Sequence, residues 1–162
     1  MQEIYTEFLQ KILKNKGRLE KELDVKITNK GKNIFIEGSA EDEYLALQVV
    51  EAINLGFSVD RALLLKEENT CLQTLNIKDL TKRKNWEEIR GRVIGTKGRT
   101  LKTLNKLTNC AISLNGNDIG IIGRWEDMED AIQALTSLVQ GSKQGNVYGR
   151  LERGKNKLKR PI

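Results

Sequence analysis

The run Gly91-Arg92-Val93-Ile94-Gly95-Thr96-Lys97-Gly98-Arg99-Thr100-Leu101-Lys102 sets two glycines around a two-residue tip and surrounds them with cations. A Gly-x-x-Gly turn of this kind suits close approach of the backbone to a phosphate, because neither Gly95 nor Gly98 puts a Cβ in the way. Leu101, Leu104 and Leu107 then recur every three residues. This spacing predicts a helix with an apolar stripe, and the free amides and dipole at its start favour an anion at the turn. Lys97 and Arg99 add charge at that point, and Lys102 and Lys106 lie on the helix flank. Ile94, Leu101 and Ile112 supply an apolar wall on which unstacked bases could lie.

Other chemistries fit the sequence less well. A nucleotide-hydrolysing phosphate loop needs Gly-Lys-Ser/Thr after the four residues that follow Gly91, where Thr96-Lys97-Gly98 stand instead, and that reading fails at two positions. The chain has no histidine, which removes Ser-His-Asp and Cys-His catalysis, His-ligated zinc and imidazole acid–base work. No pair of carboxylates is set apart from ordinary solvated helix charge. Cys71 and Cys110, 39 positions apart, form neither a disulfide framework nor a metal-ligand pair, and read as small apolar fillers. No catalytic residue, metal ligand, cofactor or disulfide partner is assigned, and the expectation is a protein that is not an enzyme. The start, Met1-Gln2-Glu3-Ile4-Tyr5, has no basic segment leading into an apolar one, and no run approaches the roughly 18 apolar residues of a spanning helix, so no membrane partner and a reducing, cytoplasmic setting are expected.

Among the 162 residues, 28 Lys and Arg oppose 22 Asp and Glu, but the excess is local. Residues 1–80 carry 11 basic and 14 acidic groups, while residues 81–106 carry nine basic groups against Glu87 and Glu88. Residues 141–162 add seven basic groups against Glu152 alone. Two basic blocks on a slightly acidic first half look like a polyanion-binding face attached to a more neutral domain, set against the alternative of plain solvated charge.

The elements that must hold the turn come from an internal repeat. At an offset of 85, Ile27 matches Ile112, Ile34 matches Ile119, Ile36 matches Ile121, Gly38 matches Gly123 and Ala46 matches Ala131. In the second copy the order is strand Leu72–Ile77, helix near Trp86–Arg92, the turn, helix Thr100–Thr108, a hairpin of Ala111–Leu114 and Asp118–Ile122 about Asn115-Gly116-Asn117, and a helix from Glu126 to Val139. The matching helix of the first copy runs from about Glu43 to Asn54, and a Ser58-Val59-Asp60 start leads into a short apolar helix between the copies. The expected class is α+β, two tandem βααββα domains packed together. With Val93–Arg99 at the turn, that order resembles the type I KH domain, a module whose loop clamps single-stranded nucleic acid. Asn109 stands where such domains usually end a helix with Gly. In the first copy the turn falls either on Lys14-Asn15-Lys16-Gly17, with lysine for the first glycine, or, at the strict offset, on Gln10-Lys11-Ile12-Leu13 with no glycine. Either way this copy should clamp RNA poorly, and it reads as a brace or a protein-binding surface.

From about Asp24 to Arg153 the chain resembles the archaeal and eukaryotic KH protein of small-subunit ribosome assembly, the partner of the PIN-domain nuclease that matures small-subunit rRNA. The resemblance rests on Leu55-Gly56-Phe57-Ser58-Val59-Asp60-Arg61-Ala62-Leu63, on Leu75-Asn76-Ile77-Lys78-Asp79-Leu80, on Ile94–Gly98 and on Gly145-Asn146-Val147-Tyr148-Gly149-Arg150. It implies a degenerate KH-like domain with a connecting helix over 1–65, a KH domain with the Gly-x-x-Gly loop over 66–145 and a basic tail over 146–162. It also implies a non-enzymatic factor that binds the 3′ region of small-subunit rRNA, with the initiation factor two alpha subunit and a PIN-domain nuclease as partners. On that analogy Gly95, Thr96, Lys97 and Gly98 hold the sugar-phosphate backbone, Arg92 and Arg99 approach neighbouring phosphates, and Ile94, Leu101 and Ile112 line the base groove.

Two other readings stay open: a general KH-type RNA binder in translation or RNA turnover, and a protein-interaction scaffold whose basic surface is incidental. Trp86 and Trp125 read as core or capping residues, with base stacking as the alternative. The end from Arg150 to Ile162 reads as disordered when free, either lying along RNA or merely solvated.

Overall fold

The computed structural model describes the backbone of residues 1–159 and the side chains of residues 1–155. The chain forms two compact units, Met1–Leu72 and Gln73–Ile162. The first contains β1 (Gln2–Tyr5), α1 (Leu9–Lys14), α2 (Lys16–Leu23), β2 (Lys26–Lys30), β3 (Asn33–Glu37), α3 (Ala40–Asn54) and α4 (Val59–Ala62), the last followed by a 3-10 turn at Leu63–Lys66. The second sheet opens with β4 (Thr70–Asn76) and is followed by α5 (Ile77–Leu80), α6 (Trp86–Ile94), α7 (Arg99–Thr108), β5 (Ala111–Asn115), β6 (Asp118–Arg124), α8 (Trp125–Val139) and α9 (Gln144–Lys159). The strand orders are β1-β3-β2 and β4-β6-β5, so βααββα arises twice with one topology, the second copy carrying the short α5 as an addition after β4.

The match at an offset of 85 extends to atomic detail. Ile27 lies opposite Ile36 and Ile112 opposite Ile121 in antiparallel hairpins. All four are at most 1% exposed, because alternate residues of each strand turn to the covered face. The hairpin turns each hold a glycine at φ 59°, Gly31 and Gly116, as a tight turn between twisted strands requires. Helices α2 and α7 end on left-handed Asp24 (φ 54°) and Asn109 (φ 58°), residues whose short polar side chains tolerate that conformation. The amide of Ile27 donates to Glu20 Oε2 at 2.9 Å and that of Ile112 to Asn105 Oδ1 at 3.0 Å, so each helix ties down the strand that follows it. Helices α3 and α8 are both 15 residues long and bury Ala46 and Ala131 completely. Each of them covers one face of its sheet.

The copies differ ahead of these elements. In the first, α1 and α2 meet at Asn15 (φ −112°, ψ 13°), inside the Lys14–Gly17 alternative, and Gln10–Leu13 lies within α1. The second unit's core is mainly apolar, with Ile89, Val93, Leu104, Ile112, Ile119, Ile121, Leu135 and Leu138 all at 2% exposure or less. Cys71 and Cys110 are buried free thiols, and burial pushes the Cys71 thiol up. The end of the chain departs from the expected disorder: the described residues from Arg150 to Lys159 continue α9, which packs on α7 and α8 through buried Val147. Residues 160–162 of that segment lie outside the described residues. Among the described residues no helix is long and apolar enough to cross a membrane.

Candidate nucleic-acid interface

Helix α6 holds its inner face through Ile89 and Val93 and ends at Gly95, whose amide donates to the Gly91 carbonyl at 2.8 Å. Gly95 has φ 77° and ψ 168°, a combination that is essentially glycine's alone. A Cβ there would also lie 2.2 Å from Thr100 Oγ1. Lys97 (φ 56°, ψ 26°) and Gly98 (φ 74°, ψ 16°) are left-handed, and the Gly98 amide donates to the Gly95 carbonyl at 3.1 Å. The chain thus reverses within Gly95–Gly98 and leaves Thr96 and Lys97 exposed at the tip.

Helix α7 begins directly behind this tip. Its N-cap is Gly98, which has no side chain to cap the first amides, and its first turn holds no acidic residue. The Gly98 and Arg99 amides are taken by the Gly95 and Thr96 carbonyls, and the positive end of a ten-residue helix dipole and the cations of Lys97 and Arg99 converge on one exposed spot. Arg99 and Lys102 are exposed, Ile94 is 38% exposed, and Leu101 is half-buried. These side chains, with Gly95, Thr96, Lys97 and Gly98, are the predicted set that the fold brings together.

Two predicted residues are placed elsewhere. Ile112 is 1% exposed and belongs to the core, because it takes the covered side of β5 between half-buried Ala111 and Ser113; it cannot line an open groove. Arg92 is half-buried, and its guanidinium donates to the Ser142 carbonyl at 2.6 Å, so it ties α6 to the segment that leads into α9.

Sequence reasoning also missed three residues. Gln144, at the start of α9, donates from Nε2 to the Arg92 carbonyl at 3.2 Å and to Thr100 Oγ1 at 3.0 Å. Thr100 is 4% exposed, and its hydroxyl rests against Gly95. Ser142 receives Arg92. The available signal was the run Gly145–Arg150 with its single apolar Val147, which marks a packed segment without saying what it packs on.

The tryptophans divide. Trp86 is half-buried with the Lys78 ammonium 4.4 Å from the ring centroid, so that face is occupied. Trp125 is 64% exposed, against the expectation of a core or capping role. It follows Gly123, which rests on Cys110 at the far end of α7, so it stands away from the turn.

The equivalent junction of the first unit is closed on itself. The Arg18 guanidinium donates to Asp60 at 2.6 Å, a hydrogen bond that raises its already high pKa. Lys11 Nζ donates to the Phe57 carbonyl at 3.4 Å, and Asn15 Nδ2 to the Lys11 carbonyl at 2.8 Å. A positive-φ tip is absent from the α1–α2 junction, which is a single residue.

Residues 71–156 match the eukaryotic-type KH domain, KH-domain type I. A KH domain-containing protein of Methanocaldococcus jannaschii is 31% identical over 90% of this chain and 67% of its own length. The pre-rRNA-processing protein pno1 of Aspergillus fumigatus is 32% identical over 68% of this chain, and the match spans 45% of that protein. Among solved structures, aDim2p in the crystal structure of its complex with a/eIF2alpha and rRNA from Pyrococcus horikoshii superposes with a TM-score of 0.86 at 29% identity, covering 96% of this chain and 94% of that one.

Proposed function

Since the chain belongs to the type I KH-domain family that includes Pno1 and Dim2p, we propose that it is a single-stranded RNA-binding factor of small-subunit ribosome assembly that holds the 3′ region of the small-subunit rRNA through its second unit. One observation carries the reading onto this chain's own atoms: Gly95–Gly98 presents an exposed tip, the positive end of a helix dipole and two free cations at a single point. That is a cradle for a sugar-phosphate backbone, with Ile94 and Leu101 beside it for the bases. Gly95, Thr96, Lys97 and Gly98 take the backbone, Arg99 and Lys102 neighbouring phosphates. Arg92 acts behind them through α9.

The related aDim2p was crystallised with rRNA and a/eIF2alpha, and the same two classes of partner are proposed here. By the family resemblance, a PIN-domain nuclease is proposed as a further partner. The chain's own role is to hold RNA, without catalysis, in the cytoplasm. The first unit, whose Lys11 and Arg18 are bonded within it and whose helix junction lacks the tip, braces or docks protein.

The test is titration of wild type and Thr96→Asp/Lys97→Asp with a short RNA copied from the 3′ end of small-subunit rRNA and with a scrambled RNA, at two salt concentrations. Two acids at the tip repel phosphate while a melting curve confirms the fold. A loss of tenfold or more on the cognate RNA, with wild type preferring it to the scrambled one, is expected. Equal affinity of wild type for both RNAs favours a general RNA binder, and full retention of binding by the double variant removes the tip as the RNA contact.

A further inference from the structure

We propose that Gln144 is a positioning residue for the Gly95–Gly98 turn, so that α9, which lies outside the βααββα unit, is part of the RNA-binding apparatus; this rests on the RNA-binding reading above. The turn is restrained from within only by short-range bonds: three of its four residues have positive φ, and its backbone hydrogen bonds are those of the Gly98 amide to the Gly95 carbonyl and of the Arg99 amide to the Thr96 carbonyl. Beyond the local bonds and the packing of α6 on α7, one side-chain amide bridges the end of α6 and the start of α7. Gln144 Nε2 donates at once to the Arg92 carbonyl and to Thr100 Oγ1, at 3.2 and 3.0 Å. The Arg92 carbonyl is in the last turn of α6, where helical partners run out, and takes its donor from α9 instead. Thr100 Oγ1 lies against Gly95, so the grip passes from Gln144 through the hydroxyl to the residue that turns the chain. In return the Arg92 guanidinium donates to the Ser142 carbonyl at 2.6 Å, and Lys155 Nζ donates to the Lys106 carbonyl at 2.9 Å near the other end of α7. Helix α9 is therefore fastened to both helices that flank the turn.

Releasing Gln144 widens the set of conformations the turn visits in the free protein, and RNA must then select the competent fraction. Apparent affinity falls in proportion to that fraction.

Gln144→Ala, Gln144→Glu and the exposed control Asn146→Ala are compared with wild type by 15N relaxation and amide exchange of the free protein and by titration with the 3′-end RNA, with Thr96→Asp/Lys97→Asp in parallel. Gln144→Glu keeps the size but replaces the donor with an acceptor facing the Arg92 carbonyl. The expected result is that both Gln144 variants mobilise the amides of Gly95 to Thr100 and lose about three- to tenfold in affinity. Their melting midpoints stay close to wild type, and Asn146→Ala changes nothing. Unchanged turn amides and unchanged affinity in Gln144→Ala, with binding lost in Thr96→Asp/Lys97→Asp, overturn the positioning role and leave the RNA reading standing. Wild-type affinity in Thr96→Asp/Lys97→Asp overturns the RNA reading itself, whatever Gln144→Ala does.

Discussion

Gly95 and Gly98 occupy equivalent places in the motif but answer to different constraints. Gly98 is left-handed with open space around its Cα, so Gly98→Ala adds only the steric cost of that conformation, about 1 kcal/mol. Gly95 adopts a conformation that side chains avoid, and its Cβ would collide with Thr100, so Gly95→Ala costs about 2–4 kcal/mol from strain and overpacking together. Urea unfolding of the two single variants checks the order; Gly98→Ala matching or exceeding Gly95→Ala would refute this account of the turn. Residue types told which positions could do this, since two glycines at a spacing of three with cations between and beyond them have few other uses. They could not tell that Arg92 turns inward or that Ile112 is sealed. Those facts depend on which carbonyl and which face of a strand tertiary packing offers.

At the scale of elements, the repeat was legible because each copy must solve the same packing problem with the same small residue. Gly38 and Gly123 both begin the approach to the long helix, and a Cβ on either would press on the residue just after the αL cap, Val25 or Cys110. The fit is tighter in the second copy, where the added Cβ would lie 2.4 Å from Cys110 Sγ, against 3.0 Å from Val25 Cγ1 in the first. Gly123→Ala is therefore expected to cost about 1–3 kcal/mol, and Cys110→Ala in the same chain to return most of it. A double-mutant cycle by chemical denaturation reads this directly: additive effects would mean that the two residues do not share the space. Helix α9 was illegible by the same logic turned round. Gly145, Gly149 and Gly154 each cost helix propensity of about 1 kcal/mol, and Val147 is its one buried apolar residue among those whose side chains are described. Its helical state comes from docking on α7 and α8, which no local pattern announces.

For the whole molecule, the same topology built twice allows one copy to be compared with the other as an internal control. Both units keep the sheet order, the hairpin glycine, the left-handed cap and the strand-tying side chain, yet only the second inserts a Gly-x-x-Gly tip, between α6 and α7. The first joins α1 and α2 at Asn15 and commits Arg18 to Asp60 and Lys11 to Phe57. Fold and tip have thus been separated within one chain, and the basic surplus of residues 81–106 falls on the copy that has the tip. Salt dependence reports that separation. Each phosphate neutralised on a single strand adds about 0.7 to the slope of log affinity against log salt. Replacing Lys97 and Arg99 by Glu should lower the slope of 3′-end RNA binding by about 1.4, because two phosphate contacts are removed along with their released counterions. Replacing Lys14 and Lys16 at the first unit's junction should leave the slope within about 0.3 of wild type, since no cradle directs those charges at a strand. An equal fall in both pairs would mean that the RNA follows charge wherever it lies on the chain, and that the turn's geometry contributes nothing of its own.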